Sequence, residues 1–384
     1  MKLTGAWIED PAVQDVCRML EEGGHRALLV GGCVRNALMG EPVSDIDIST
    51  DARPDRVLAL AEQGERKAVG TGLEHGTVTV VEGRRGFEIT TFRKDVETDG
   101  RHAVVAFADD IESDARRRDF TVNAIYSIRD GTVLDPLGGL SDLAERRIRF
   151  IGDASQRIRE DYLRILRFFR FHAWYGKADA GLDAEGLAAC AELADGLGTL
   201  SRERVGAEIL KLLAAPDPAP VVASMRQAGI LQHVLRGAEP TFLGPLVHCE
   251  KSLGLDPDPL RRLAVLGGEM PDQSLRLNRK DARRLAVLRE STEAEPAVLG
   301  YHHGAQAALD LLCLRSAAAG TEPDVSWRSE IARGAEAQFP VAAEDLMPAY
   351  QGPALGQHLR ALEETWIASG FTLSRAQLLD EDKA

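Results

Sequence analysis

Two aspartates one residue apart, Asp45 and Asp47, follow a glycine pair and a short helix-forming segment near the start of the chain. The pattern around them predicts a strand. Because strand side chains alternate between faces, both carboxylates project to one side while the neighbouring isoleucines point into the core. Hard carboxylate oxygens on a common face are ligands that suit Mg²⁺. The spacing therefore predicts a site for divalent metal ions.

The glycine pair, Gly31 and Gly32, comes after a predicted buried strand at 27–30 and before a helical segment that carries Arg35. Glycine permits a tight turn, and the unpaired amides at a helix start attract phosphate. Taken alone, such a turn is ordinary, and an Asp-x-Asp pair is more often a solvated loop. In this order and this close together, they predict a site for a nucleoside triphosphate and two metal ions.

A third carboxylate is expected on a neighbouring strand. Residues 77–81 and 87–93 are rich in β-branched side chains and are separated by a polar turn with glycine, which predicts an antiparallel hairpin. Glu88 lies on its second strand. This strand must pair close to Asp45 and Asp47 to complete the sheet, so Glu88 is a candidate third metal ligand. The alternative is an exposed strand residue.

A second group of chemically suggestive residues lies on a predicted helix at 157–175. Glu160 and Asp161 stand four and three residues before Arg164, which places all three on one face near the helix start. A guanidinium beside a carboxylate matches the edge of cytosine or adenine, where an acceptor lies next to an amine; uracil and guanine present a carbonyl there. The alternative is a set of salt bridges, each worth about 0.3 to 0.5 kcal/mol.

The composition fits a soluble protein of two to four domains. The chain has 384 residues, of which 44% are hydrophobic. It shows no run of eighteen apolar residues and no N-terminal signal sequence, which predicts a cytoplasmic location and no membrane contact. Its five cysteines are far apart and form no C-x-x-C pair, so neither a disulfide framework nor a zinc site is expected.

The net charge of −14 argues against a nucleic-acid partner only if the basic residues are evenly spread. They are clustered, and 38 of the 46 are arginine, the side chain suited to bidentate phosphate recognition. One cluster lies between residues 146 and 170. The second is the candidate for RNA contact, with a solvated helix face as the alternative. It comprises Arg276, Arg279, Lys280, Arg283, Arg284 and Arg289.

Helix and strand signals divide the chain into a mixed N-terminal part and a helical remainder. A helix is predicted at 11–22 with Asp10 as N-cap, and another near 55–62. Residues 95–114 are polar and lack a clear period, which predicts a long loop that is either functional or disordered. Beyond Asp153 the apolar period is helical almost to the end. The predicted fold class is therefore α+β, with an N-terminal mixed β-sheet followed by an all-α region.

Taken together, these motifs resemble those of the class II tRNA nucleotidyltransferases, the CCA-adding and poly(A) polymerase family of the polymerase-β-like nucleotidyltransferase superfamily. The resemblance covers about residues 25–215. Beside the glycine and aspartate segment, it rests on R-R-D-F-T-V-N-A at 117–124, E-D-Y-L-R at 160–164 and S-R-E-R at 201–204. Family members usually have Asp where Asn36 stands, and Arg is more common than His102.

The resemblance implies ribose, triphosphate and base contacts in addition to the metal ligands. Asp119 and Arg118 are implied to contact the ribose, and Glu160 to orient Arg164. The implied nucleotide-binding set comprises Gly31, Gly32, Arg35, Arg118, Asp119, Asn123, Glu160, Asp161, Arg164 and Arg167. The implied catalytic metal ligands are Asp45, Asp47 and Glu88.

The implied reaction is template-independent addition of CMP, CMP and AMP to the 3′ end of tRNA, from CTP and ATP, with two Mg²⁺ ions. A flexible loop containing Asp95 and Arg101 is implied to help the switch from CTP to ATP. The implied domains are a nucleotidyltransferase head at 1–145, a helical neck at 146–215, and a tRNA-binding helical body and tail at 216–384. Alternatives are a poly(A) polymerase, an enzyme that adds only CC or only A and, more remotely, an inactive RNA-binding adaptor.

Overall fold

The computed structural model describes residues 1–99, 102–177, 180–290, 292–347 and 349–381. It divides the chain into two compact units, Met1–Arg236 and Gly237–Ala384. The first unit combines a mixed sheet with helices, and helices make up most of the described part of the second. The predicted α+β fold class is confirmed. No helix within the described ranges is long and apolar enough to span a membrane.

The strands lie in the first unit. They are β1 (Leu28–Val30), β2 (Asp47–Thr50), β3 (Lys67–Gly72), β4 (Thr77–Glu82), β5 (Arg85–Thr91), β6 (Arg93–Asp99), β7 (His102–Phe107), β8 (Tyr126–Ile128) and β9 (Val133–Leu134). In the described part of the chain, seven of them form a sheet of order β3-β4-β5-β2-β1-β8-β9, and β6 and β7 form a separate hairpin. The sheet is mixed because β2 runs parallel to β5, whereas the other pairs are antiparallel.

The helices of the first unit are α1 (Ala6–Glu9), α2 (Pro11–Glu22), α3 (Gly32–Met39), α4 (Pro54–Gln63), α5 (Ile111–Arg116), α6 (Gly139–Ala144), α7 (Ala154–Glu160), α8 (Leu163–Tyr175), α9 (Ala184–Glu192), α10 (Arg202–Leu213), α11 (Ala219–Gln227) and α12 (Ile230–Val234). Those of the second are α13 (Leu243–Ser252), α14 (Pro259–Leu266), α15 (Pro271–Ser274), α16 (Arg279–Leu288), α17 (Pro296–Ala319), α18 (Trp327–Glu336), α19 (Gly352–Ala368) and α20 (Arg375–Glu381). Short 3₁₀ turns lie at Leu73–His75, Thr121–Asn123, Ala194–Thr199 and Ala343–Asp345.

Several local predictions are confirmed. Helix α2 begins after Asp10, whose carboxylate accepts a hydrogen bond from the Ala12 amide at 2.8 Å, and it ends before Gly23. Proline at its first position fits there because the amide that proline lacks would have no partner. The predicted hairpin is present as β4 and β5, and β5 pairs with β2 as the metal-site prediction requires.

The predicted strand around the two aspartates is shorter than expected. Strand β2 begins at Asp47, and Asp45 lies in the loop before it. The pairing partner sets this limit, because Asp47 is in register with Val30, the last residue of β1, after which the chain turns at Gly31. Ile46 and the isoleucine after Asp47 are buried, as the alternation predicts.

The predicted long loop at 95–114 is wrong for most of its length. The backbone of β6 pairs with β7 from Arg93 opposite Phe107 to Asp99 opposite His102, and helix α5 follows. A two-stranded ribbon needs no buried face, so its sequence need not alternate. Asp95 lies on β6, and Arg101 lies outside the described residues.

The predicted helix at 157–175 is two helices, α7 and α8, separated at Asp161 and Tyr162. Asp161 has an extended backbone, with φ −156° and ψ 106°. Its carboxylate accepts a hydrogen bond from the Leu163 amide at 3.1 Å, at the start of α8. Aspartate favours such capping positions over helix interiors, which explains the break.

An aromatic cluster fixes helix α8 to the segment after α5. The ring of Phe120 lies 5.0 Å from that of Phe150 and 5.2 Å from that of Phe171, and Phe150 stacks on Phe168 at 5.4 Å. All four side chains are buried. Such contacts add to the burial of apolar area. The residues on either side of Phe120 are thereby held at a fixed distance from α8.

The second unit has a buried network of charges at its centre. Glu250 on α13 accepts hydrogen bonds from Arg261 and Arg262 on α14, both at 2.9 Å. Asp310 on α17 accepts from Arg261 at 2.7 Å and from Arg284 on α16 at 2.8 Å. The network ties four helices together through groups that must be paired once they are buried.

The five cysteines of the chain are free and buried.

Candidate active site

The glycine turn has the conformation for which glycine is needed. Gly31 precedes α3 with φ 71° and ψ −121°, a combination that side chains disfavour. A Cβ atom at this position would lie 3.6 Å from Nη1 of Arg118 and 3.8 Å from the carbonyl oxygen of Asn123. The turn therefore faces a guanidinium that lies close enough to share an anionic ligand with the first amides of the helix.

The predicted metal carboxylates lie on adjacent elements around one cleft. Asp47 is directly opposite Glu88 in the parallel pairing of β2 and β5, and Asp45 stands two residues before Asp47. The cleft has a volume of about 470 Å³ and is lined by Ser44, Asp45, Ile46, Asp47, Arg85, Gly86, Phe87 and Glu88. All three predicted ligands thus line the same cleft.

The electrostatics of this cleft favour a cation. Burial raises the pKa of Asp47, and the nearby charges of Glu88 and Asp45 raise it further, against an opposing effect of Arg118. A divalent cation would relieve this repulsion. Among the described residues no three metal-binding side chains already surround one point.

Arg35 joins the start of α3 to two other parts of the first unit. Its Nη1 donates to Asn123 Oδ1 at 2.5 Å, and its Nη2 donates to Asn36 Oδ1 and to the Tyr175 hydroxyl, both at 2.8 Å. The guanidinium also lies 4.0 Å from the Tyr175 ring centre. Asn36 therefore still holds Arg35, through a neutral acceptor in place of the usual carboxylate. Because Arg35 is only 6% exposed, its main effect is to hold α3, Asn123 and Tyr175 in fixed positions relative to one another.

Asp119 connects the same segment to α8. Its carboxylate accepts hydrogen bonds from Asn123 at 2.9 Å and from Arg167 on α8 at 2.7 Å. Burial alone would raise the pKa of Asp119, but Arg167 and Asn123 lower it to about 2. Asp119 is therefore ionised at neutral pH, and it orients Arg167 and Asn123.

The base-selecting candidates lie at the break between α7 and α8. Arg164 Nη1 donates to Glu160 Oε2 at 2.5 Å and to the carbonyl of Arg157 at 2.9 Å, so the predicted pairing of Glu160 with Arg164 is present across the break. Asp161 does not share their helix face, because its backbone is extended. Its Oδ2 accepts from Arg204 Nη2 on α10 at 2.6 Å.

Ser49, Asp114, Tyr126 and Tyr175 contribute to this site and are absent from the sequence-based set. The first three surround Arg118. Tyr175 had a signal in the sequence, because it stands four and eight residues after Phe171 and Arg167, on the same helix face. Asp114 had none, because only the tertiary fold brings an acidic residue of α5 beneath β2 and β8.

The second basic cluster divides into exposed and paired members. Arg276, Arg279, Lys280 and Arg283 are exposed at or near the start of α16. Arg284 is half-buried and forms ion pairs with Asp258 at 2.7 Å and with Asp310 at 2.8 Å. Its charge is neutralised inside the second unit, so phosphate contact is expected from the exposed members.

Two family descriptions match the chain. The Poly A polymerase head domain matches residues 27–149, and the probable RNA and SrmB-binding site of polymerase A matches residues 181–242. The first match contains the glycine turn, the cleft carboxylates and the segment with Arg118 and Asp119. The metal and ribose candidates thus lie within one matched region.

Curated proteins resemble the chain over different lengths. The mitochondrial CCA tRNA nucleotidyltransferase 1 of Mus musculus is 31% identical over 96% of this chain and 88% of its own length. The CCA-adding enzyme of Geobacillus thermodenitrificans is 40% identical, over 56% of this chain and 52% of its own. The mitochondrial relative therefore matches nearly the whole chain.

Solved structures share the fold. The CCA-adding enzyme of Bacillus stearothermophilus in complex with CTP superposes with a TM-score of 0.74 at 25% identity, covering 97% of this chain and 98% of its own. The Thermotoga maritima CCA-adding enzyme complexed with tRNA gives 0.72 at 20% identity, covering 97% and 95%. The second likeness is one of fold alone.

Proposed function

Since the chain belongs to the family of CCA tRNA nucleotidyltransferases, we propose that it adds CMP, CMP and AMP to the 3′ end of tRNA from CTP and ATP, without a template. One observation carries the proposal. A single segment, 117–123, contacts both the glycine turn and helix α8: Arg118 faces Gly31, and Asp119 bonds to Arg167. The triphosphate, ribose and base candidates therefore belong to one rigid arrangement.

The reaction forms a bond between the tRNA 3′-oxygen and the α-phosphorus of the nucleotide and releases pyrophosphate. Asp45 and Asp47, with Glu88 as the candidate third ligand, are proposed to hold two Mg²⁺ ions. When bound, such ions activate the attacking hydroxyl and stabilise the leaving pyrophosphate. Arg118 and the amides after Gly31 are placed to bind anionic oxygens, so they orient the nucleotide relative to the cleft.

Base choice is assigned to Asp161 and Arg164. Arg164 donates to a ring acceptor and Asp161 accepts from the exocyclic amine, which is the pattern that cytosine and adenine share. Glu160 accepts a hydrogen bond from one nitrogen of Arg164 and thereby fixes the direction of the other donors of that guanidinium. The hairpin of β6 and β7, which carries Asp95, remains the candidate for the switch from CTP to ATP.

The predicted head, neck, and body and tail at 1–145, 146–215 and 216–384 remain a proposal for how these tasks are divided. The cytoplasmic location likewise remains a prediction. A poly(A) polymerase, an enzyme of partial addition and an inactive adaptor would share the same head, so the products formed must separate them.

Incubation of the purified chain with tRNA that lacks its 3′ CCA, and with each labelled nucleotide alone and in pairs, tests the proposal. We expect CMP addition from CTP alone, AMP addition only after two CMP residues, and no product from UTP or GTP. Sequencing of the product ends should show CCA and no longer tail. A long A tail would identify a poly(A) polymerase, termination after CC or addition of A alone a partial enzyme, and no addition an adaptor.

The exposed part of the second basic cluster gives a prediction about tRNA binding. Replacing Arg279, Lys280 and Arg283 by glutamine removes three charges from α16 and leaves Arg284 in its ion pairs. We expect weaker tRNA binding, and a slope of log K against log salt that is shallower by about 2 to 3. Filter binding across a salt series measures both quantities.

The matched control replaces Arg333 and Arg360, two exposed arginines on other helices of the second unit, by glutamine. Its salt slope should stay closer to that of the unaltered protein than the slope of the α16 variant does. An α16 variant with unchanged affinity and slope would assign the cluster to an ordinary solvated helix face.

A further inference from the structure

A completely buried carboxylate lies behind the nucleotide site. Asp114, on α5, is 0% exposed. Its Oδ1 accepts from Arg117 Nε at 2.8 Å. Its Oδ2 accepts from the Tyr126 hydroxyl at 2.8 Å, from Arg118 Nη2 at 3.2 Å and from Ser49 Oγ at 3.3 Å. Asp114 thus accepts hydrogen bonds from two arginines and from one hydroxyl each on β8 and β2.

The charge of Asp114 is retained at neutral pH. Burial alone would raise its pKa, but Arg118, Arg117 and the Tyr126 hydroxyl lower it to about 2. A buried ion pair gives little net stability compared with apolar packing of the same volume. It does fix the direction of a guanidinium, because each nitrogen must meet an acceptor in a set geometry.

The direction fixed here is that of Arg118. Its Nε donates to the Tyr126 hydroxyl at 3.1 Å, and its Nη2 donates to Asp114 and to Ser49 Oγ, the latter at 3.1 Å. The remaining nitrogen, Nη1, is the one that faces the turn at Gly31. Two of the three guanidinium nitrogens are therefore held by Tyr126, Asp114 and Ser49, and the third points at the turn.

The same segment also reaches the base-selecting residues. The carbonyl oxygen of Arg116 accepts from Arg157 Nη1 at 3.0 Å, and that of Arg117 accepts from Arg164 Nη2 at 3.4 Å. These carbonyls lie at the end of α5, within three residues of Asp114. A shift of this helix end would move the partners of Arg164 together with Arg118.

We propose that Asp114 is a positioning residue, which holds Arg118 against the glycine turn and so sets how the enzyme distinguishes ribose from deoxyribose. The inference rests on the proposed function and on the ribose contact that the family resemblance implies for Arg118 and Asp119. Asp114 itself touches no substrate; it acts through Arg118, and through the carbonyl partners of Arg164.

The test is Asp114→Asn, which keeps the shape of the side chain but turns an amide donor toward arginine donors. CMP addition to tRNA lacking CCA is measured with CTP and with 2′-deoxy-CTP, and kcat and KM are separated for each. We expect the preference for CTP in kcat/KM to fall about tenfold, mainly through a higher KM for CTP, as loss of a charged hydrogen bond implies.

The matched control is Asp110→Asn on the same helix, where the exposed Asp110 caps α5 through the Ser113 amide and asparagine caps equally well. It should leave the preference unchanged. An Asp114→Asn protein that is folded by circular dichroism and keeps the preference of the unaltered enzyme overturns the inference. So does a lower kcat with the preference intact.

If Asp114→Asn does not fold, Tyr126→Phe tests the same inference. It removes the hydroxyl between Asp114 and Arg118 but keeps the ring, so we expect a smaller loss of the same preference; an unchanged preference overturns the inference. The proposed function fails separately, if the unaltered protein adds no nucleotide to the truncated tRNA.

Discussion

Replacing Asp45 and Asp47 together by asparagine is expected to abolish incorporation of every nucleotide while leaving tRNA binding largely intact. The two carboxylates are the proposed principal ligands of the metal ions, and amides are much weaker ligands for Mg²⁺. Loss of metal-assisted activation should lower the rate by about 10³-fold or more, which corresponds to about 4 kcal/mol of transition-state stabilisation. Single-turnover addition of labelled CMP measures the rate.

The expected loss of nucleotide addition comes from the missing metal ligands and not from unfolding. The double variant should be at least as stable as the unaltered protein. Burial and the charges of Glu88 and Asp45 raise the pKa of Asp47, so its ionised form is disfavoured where it stands. A neutral amide removes that repulsion, and functional sites commonly hold such unfavourable charges. Thermal unfolding without added metal should therefore show an equal or higher midpoint.

The control for this variant is Asp55→Asn, an exposed carboxylate in the first turn of α4. Its addition rate should match that of the unaltered enzyme. Substantial activity in the double variant, with Mg²⁺ as the only divalent ion, would place the metal ligands elsewhere in the chain.

The sequence predicted those parts of the fold that depend on local patterns. The α2 cap at Asp10, the β4 and β5 hairpin and the burial of Ile46 follow from capping and alternation alone, and all are observed. The start of β2 at Asp47 was not predictable in this way, because it depends on where its partner β1 ends. Strand limits are set by the neighbour as much as by the strand.

The candidate site was predictable to the extent that its residues lie in short motifs. The pairing of Glu160 with Arg164 follows from spacing, whereas the pairing of Asp161 with Arg204 joins residues 43 positions apart. The prediction that Asp161 shares a helix face with Glu160 and Arg164 was wrong, because it assumed an unbroken helix. Asp114 shows the same limit, since neither its burial nor its partners on β2 and β8 leave a trace in the sequence around it.

Replacing Asp161 and Arg164 together by alanine is expected to remove the preference for CTP and ATP over UTP and GTP. In the proposed mode of base choice, uracil and guanine present a carbonyl where Asp161 needs a donor, so they form a weaker contact than cytosine and adenine do. A pair of side chains that hydrogen-bonds to a base edge contributes about 1 to 3 kcal/mol to discrimination between bases, or roughly 10- to 100-fold. The variant should therefore accept all four nucleotides at comparable, lower rates.

The measurement is a competition in which tRNA lacking CCA meets all four nucleotides at equal concentration, followed by sequencing of the added residues. The control is Arg159→Ala, an exposed arginine of α7 that forms an ion pair with Glu192 at 4.0 Å. It should still produce CCA ends. The double variant leaves Arg204 without its Asp161 partner, so its fold is checked by thermal unfolding before the competition. If it is folded and slow but still adds only C and A, base choice does not reside in this pair, and the residues around Arg204 become the next candidates.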